Sequence, residues 1–175
     1  MIMPIKKIEM VIVCFLLFSV AMAQSDQQSA KKTLTRQLVR SMTEACNQLS
    51  DSCRSAIVVL KFHLSQQGTK VDSVSIASNN NALLPVIDRK RLTAVDINWQ
   101  LLLKSPVELD IFTMVQPVVL TGFAEECGPA VIALKDLTPV WELLGSESRS
   151  INKSHFLLEM AEIKYSKPVR KRTFL

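Results

Sequence analysis

The thiols, the imidazoles and a C-terminal run of cations are the side chains of this sequence best suited to chemistry. Beyond residue 23 the cysteines are Cys46, Cys53 and Cys127, and the only histidines are His63 and His155. The histidines show no ligand spacing relative to the cysteines, so a tetrahedral metal site is not expected. A Cys/His catalytic pair would have to join Cys127 to His63 or His155. Glu125 and Glu126 next to Cys127 would raise its thiol pKa, the wrong direction for a nucleophile. The sequence contains no G-x-S-x-G, no H-E-x-x-H and no phosphate-cradling glycine loop. These residues therefore point away from an enzyme, and no cofactor is expected.

An odd number of cysteines leaves at least one thiol unpaired. Cys46 and Cys53 are seven residues apart. On one straight helix that is about 10 Å along the axis, beyond the ~4.4–6.8 Å Cα separation of a disulfide. If the helix stops near Ser50–Asp51, the chain can fold back and Cys46–Cys53 becomes a feasible disulfide, with Cys127, in EECGP, the candidate free thiol.

The first 23 residues, MIMPIKKIEMVIVCFLLFSVAMA, have the layout of an export signal. Lys6 and Lys7 precede an apolar run from Met10 to about Val20, and Ala21-Met22-Ala23 offers a small-x-small cleavage site. The run is short for a membrane span of roughly 20 apolar residues, so cleavage after Ala23 is expected, with retention as an uncleaved anchor the alternative. Cys14 lies mid-run, unlike a lipid-attachment cysteine. The expected location is periplasmic or cell envelope, where disulfides are permitted.

Removing Lys6, Lys7 and Glu9 takes the 21 basic and 16 acidic residues to 19 and 15. Five of those cations, Lys164, Lys167, Arg170, Lys171 and Arg172, fall in the last twelve residues, KYSKPVRKRTFL, which hold no acid. The remainder is close to neutral. A nucleic-acid binder spreads cations over a face and interleaves aromatics, and this chain does neither. The tail is expected to be a solvated basic end able to rest on anionic lipid or polysaccharide, a peripheral membrane contact at most.

The elements that would position these groups follow from periodicity. Residues 24–30 are polar and are expected as a flexible lead-in to a single domain over 31–175. Leu34, Leu38, Met42, Ala45 and Leu49 recur every three or four residues, predicting an amphipathic helix. Residues 57–64 alternate, with Val58, Leu60, Phe62 and Leu64 on the buried face. A turn at Gly68 and a return run through Val74 and Ile76 predict a hairpin, with His63 an exposed strand residue. Asn79–Asn81 and Pro85 suit the start of a second helix that turns Leu84, Ile87 and Leu92 or Val95 inward. The longest strand candidate is 108–120, in which Leu109, Ile111, Thr113 and Val115 share a face; Pro117 suggests an edge or a bulge there. A helical insert about 121–150 and a final strand in FLLEMAEIKYSKPV complete the order. Asn152-Lys153-Ser154 matches a glycosylation sequon, relevant only in a eukaryotic secretory route. Helix, hairpin, helix, long strand, insert and last strand predict an α+β fold, a small antiparallel sheet with helices packed on one face.

Over residues 50–120 this pattern resembles the C-terminal domain of TonB-type proteins. The places of that family are filled here by Val58-Leu60-Phe62, Gly68, Val71 with Val74 and Ile76, Leu83-Leu84, Ile87, Leu92–Val95 and Trp99. The chain departs from the family in having no Pro-rich spacer before the domain and no counterpart for 121–160. The resemblance implies a TonB C-terminal-like fold, in which partners bind largely by backbone pairing at a sheet edge. A long strand ending near a proline gives the same expectation. We therefore expect a non-enzymatic interaction module that takes a protein or peptide strand along Leu109, Ile111, Thr113 and Val115, or pairs there with its own copy. The alternative is an envelope structural or accessory protein held by its basic tail.

Overall fold

The computed structural model describes residues 24–52, 54–103, 107–123 and 155–166. The expected export signal, Cys53, Cys127, the sequon, the tail beyond Ser166 and the expected insert from 124 onward lie outside the described residues.

The chain begins with helix α1 (24–41), whose first turns are the residues expected as a flexible lead-in. Helix α2 (Thr43–Ser52) continues it after a break at Met42. At the break the Ser41 carbonyl accepts the Asp88 N–H at 3.0 Å. The Thr43 hydroxyl donates to the Val39 carbonyl at 3.0 Å, a back-bond that bends helices. The predicted stripe is intact across the kink: Leu34, Leu38, Met42, Ala45 and Leu49 are all buried.

Strands β1 (Ser55–Ser65) and β2 (Lys70–Ser78) form the predicted hairpin. His63 faces Ser73 while Leu64 faces Val71, so Asp72 is the extra residue of a bulge. The connection holds three successive positive φ angles, at Gln66 (50°), Gln67 (56°) and Gly68 (81°). The Gln67 N–H donates to the Asp110 carbonyl at 3.2 Å, which ties the turn to the segment entering the next strand.

The second predicted helix is split. A 3-10 turn (Asn81–Val86) is capped by the Asn80 side chain, and the short helix α3 (Arg89–Thr93) by Asp88. Pro85 lies inside the first of these, and the tighter winding turns Leu83, not the expected Leu84, into the core, along with Ile87, Leu92 and Val95. A further 3-10 turn (Trp99–Leu102) buries Trp99 against Phe62, with ring centroids 4.6 Å apart.

Strand β3 (Phe112–Phe123) pairs antiparallel with β1 and parallel with both β4 (His155–Leu157) and β5 (Ala161–Ser166). The order β2-β1-β3-β4, with β5 also on β3, makes a five-stranded, mostly antiparallel sheet. Two expectations change here. The final strand is two short strands running parallel to β3, and Thr121 and Gly122 lie inside β3 instead of opening the insert.

Pro117 explains the division of the last strand. In the antiparallel ladder, Val59 directs its own polar groups toward β2, so its partner Pro117 faces away from β1, toward β4 and β5. There Pro117 offers no N–H. Gln116 and Pro117 are spanned by three residues, 158–160, between the pairs Val115–Leu157 and Val118–Ala161, so the bulge lies in the neighbouring strand. The extra residue keeps Ala161 and Ile163 on the same face as Phe156. The Gln116 amide closes the gap by donating to the carbonyls of Pro117 and Glu159, each at 2.8 Å.

The described helices pack on one sheet face, where Val58, Leu60, Phe62, Met114, Val118, Leu120 and Ile163 meet their apolar residues in one cluster. The chain thus has an α+β fold. The opposite face holds a separate buried patch of Ile57, Val59, Val115 and Val119.

Candidate functional site

The structure overturns the expected binding edge. Leu109 and Ile111, 37% and 69% exposed, precede β3 instead of lying in it. Thr113 and Val115 are buried in a central strand, paired with β1 on one side and β4 on the other. The four residues form no edge because a strand's neighbours are set by segments 50 residues earlier and 42 residues later.

Among the described residues the sheet has two outer edges, β4 with β5 on one side and, on the other, the longer unbroken strand β2. Asn79 N–H donates to the Ile57 carbonyl at 3.2 Å, which fixes the phase of the ladder. Ser73, Ser75 and Ala77 therefore direct their backbone groups at β1, while Val74 and Ile76 direct theirs outward. Among the described residues no backbone group bonds Val74 or Ile76 on that side. Lys70 and the Asp72 bulge guard one end of this edge, the usual devices against unwanted pairing. From Ser73 to Ser78 the edge carries no charge. The other end is held by a polar knot: Ile57 N–H donates to Asn79 Oδ1 at 2.9 Å, and Ser78 Oγ donates to the Ile57 carbonyl at 3.0 Å.

His63 lies on the sheet face away from the helices. Its Nε2 is 3.1 Å from Ser75 Oγ and its Nδ1 is 3.2 Å from Thr113 Oγ1, so the ring bridges three strands. The Ser75–His63 separation is that of a nucleophile and its base. Thr113, however, stands where an acidic orienting group would, and no carboxylate among the described residues bonds the ring. The arrangement is a cross-strand hydrogen-bond bridge. By register His155 is placed opposite Thr113 in the same row of the sheet.

The expected Cys46–Cys53 disulfide is absent: Cys46 is a free, buried thiol. Helix α2 runs through Ser52 instead of stopping near Ser50, so the backbone does not turn back in time. Burial pushes the Cys46 pKa up to about 11. Among the described residues no cluster of His, Cys, Asp or Glu could hold a metal ion. Lys164 belongs to β5 and pairs with Glu162 at 3.2 Å, so it is a strand residue and not part of a tail. The other four tail cations, Lys167, Arg170, Lys171 and Arg172, lie outside the described residues. No described helix is long and apolar enough to cross a membrane.

Two features escaped sequence reasoning. The runs IVVL in β1 and MV with VVL in β3 are apolar at successive positions, the pattern of strands covered on both faces. That pattern could have assigned both to the middle of the sheet and left β2 outermost. Nothing local marks Gln116 as a buried side chain. No family model matches this chain, and no curated protein or solved structure matches it either.

Proposed function

We propose that this protein is an exported, non-enzymatic interaction module that accepts an extended segment of a partner along the outer edge of β2. The observation that carries this reading is the outward-facing, unbonded backbone of Val74 and Ile76 in an uncharged stretch of edge. A partner strand would gain main-chain hydrogen bonds there, with the half-buried Val74 and Ile76 and the exposed Ser73 and Ser75 selecting its side chains. Export rests on the signal-like N-terminal segment. The free edge serves a foreign strand or a second copy equally well, and the test separates them.

The test uses Ile76→Pro. It removes an N–H that β1 does not use, so the hairpin survives while the edge loses a donor. A photo-crosslinker at Ser73 in the full chain should capture a partner, or a second copy, from envelope extract, and Ile76→Pro should abolish that capture. Capture that persists in a folded Ile76→Pro variant defeats strand addition at β2. It would favour the basic tail, to be checked by replacing Lys167, Arg170, Lys171 and Arg172 with Gln.

A further inference from the structure

A cavity of about 730 Å³ opens between the first turns of α1, the Trp99–Leu102 turn and the β4–β5 bulge. Its walls are the apolar side chains of Leu34, Leu102, Leu103, Phe156 and Leu158. The wall formed by Leu102 and Leu103 is held in place by Gln100. Gln100 donates to the Val107 carbonyl at 2.7 Å and accepts the Val107 N–H at 2.9 Å. Across the mouth Lys31 of α1 pairs with Glu159 of the bulge at 2.7 Å, so its two charges offset each other.

One polar side chain, Gln116, reaches the cavity from the sheet while being only 4% exposed. Both hydrogens of its amide are used, on the carbonyls of Pro117 and Glu159. Because both partners are acceptors, the atom facing them must be the nitrogen, which settles the orientation of the carboxamide. Oε1 is left with no donor among the described residues. The atom is not sealed from solvent, so water can reach it in the open cavity; a ligand that covers it without donating a hydrogen bond would leave it dehydrated, at about 1–3 kcal/mol. Concave, mostly apolar cavities of this size with a few polar groups, here Gln27 and Gln116 beside the Lys31–Glu159 pair, are the usual form of small-molecule sites.

We propose that this cavity binds a neutral amphipathic small molecule, an apolar body bearing one O–H or N–H that it donates to Gln116 Oε1. The donor requirement follows from Gln116. Neutrality follows because, among the described residues that line the cavity, the only charges are the paired Lys31 and Glu159, and a buried charge without a counter-charge is strongly disfavoured. This site is separate from the β2 edge, and neither depends on the other.

The probes are 1-octanol and octyl methyl ether, which share the chain but not the donor. Each is titrated into the full chain while the Gln116 side-chain amide and the Leu103 backbone amide are followed by NMR. We expect saturable shifts with 1-octanol and affinity about tenfold weaker for the ether, the worth of one hydrogen bond. Gln116→Leu should erase the difference between the probes. Because that variant also loses the two bridging bonds, Leu103→Trp is tested alongside it. Filling the wall while leaving Gln116 in place should weaken both probes at least tenfold. Equal affinities of the two probes for the wild-type chain, no saturable shift with either, or unchanged binding in Leu103→Trp would each overturn the proposal.

Discussion

Gly68 and Phe112 approach so closely that no methyl group fits between them. A Cβ on Gly68 would stand 2.6 Å from Phe112 Cζ and 3.5 Å from Trp99 Cβ, at a φ of +81°. The hairpin turn is therefore pressed onto the start of β3, and the glycine is required by contact as well as by conformation. Gly68→Ala combines the ~1–2 kcal/mol of a left-handed L-residue with the ~1–3 kcal/mol of overpacking. We expect a loss of about 2–5 kcal/mol in urea unfolding, partly restored by adding Phe112→Leu. A loss under about 1 kcal/mol would mean that the turn relaxes freely.

Ser41 offers the opposite case. Its side chain is buried and its hydroxyl has no partner, although its carbonyl is engaged by Asp88. Ser41→Ala removes an unsatisfied group and improves helix propensity by about 0.5 kcal/mol. The variant should be as stable as wild type or slightly more so, a rare outcome for a core substitution. Destabilisation beyond about 1 kcal/mol would show that the hydroxyl matters to the kink.

The Cys46 thiol predicts a pH dependence. In the folded chain it keeps its proton up to about pH 11, against 9.0 for the ordinary thiol. Between those values the unfolded chain ionises and the folded one does not, so rising pH favours unfolding by about 2–3 kcal/mol in total. Below pH 9 the contribution is fully present. Comparing wild type with Cys46→Ala cancels the titration of every other group, and the stability difference should shrink in the wild type's disfavour from pH 9 to 11. A constant difference would contradict this. The thiol should also resist alkylation at neutral pH until the protein unfolds.

The two sides of β2 predict unequal tolerance of proline. Ile76→Pro should cost little, within about 1 kcal/mol, because its N–H faces outward. Ala77→Pro breaks a bond to β1 opposite Val59 and should cost about 3 kcal/mol or more. Equal losses, measured by denaturant midpoints, would mean that the ladder phase is wrong and the free edge with it.

How far the sequence announced this fold depended on distance along the chain. Local periodicity identified the stripe from Leu34 to Leu49, the buried face of β1 and the turn at Gly68, because each rests on neighbours within a few residues. Pro85 shifted the inward residue from Leu84 to Leu83 by tightening one turn, a change of phase no simple helical wheel registers. The position of β3 was missed for a different reason. Thr113 and Val115 alternate as an edge strand would, yet their pairing partners are His63 with Lys61, and His155 with Leu157. Alternation assigns faces to a strand; it does not assign neighbours.

The way β3 is completed sets an order of events. Its antiparallel partner β1 comes before it in the chain, whereas β4 and β5 arrive 42 and 43 residues later. A chain elongated only to Phe123 can assemble β2, β1 and β3, but one whole side of β3 stands bare, with Ile163 missing from the core. Long-range parallel pairing is slow to form and leaves strand edges open to aggregation meanwhile. Residues 155–166 therefore close the sheet last, and a product truncated before Ala161 is marked as incomplete by the edge it exposes.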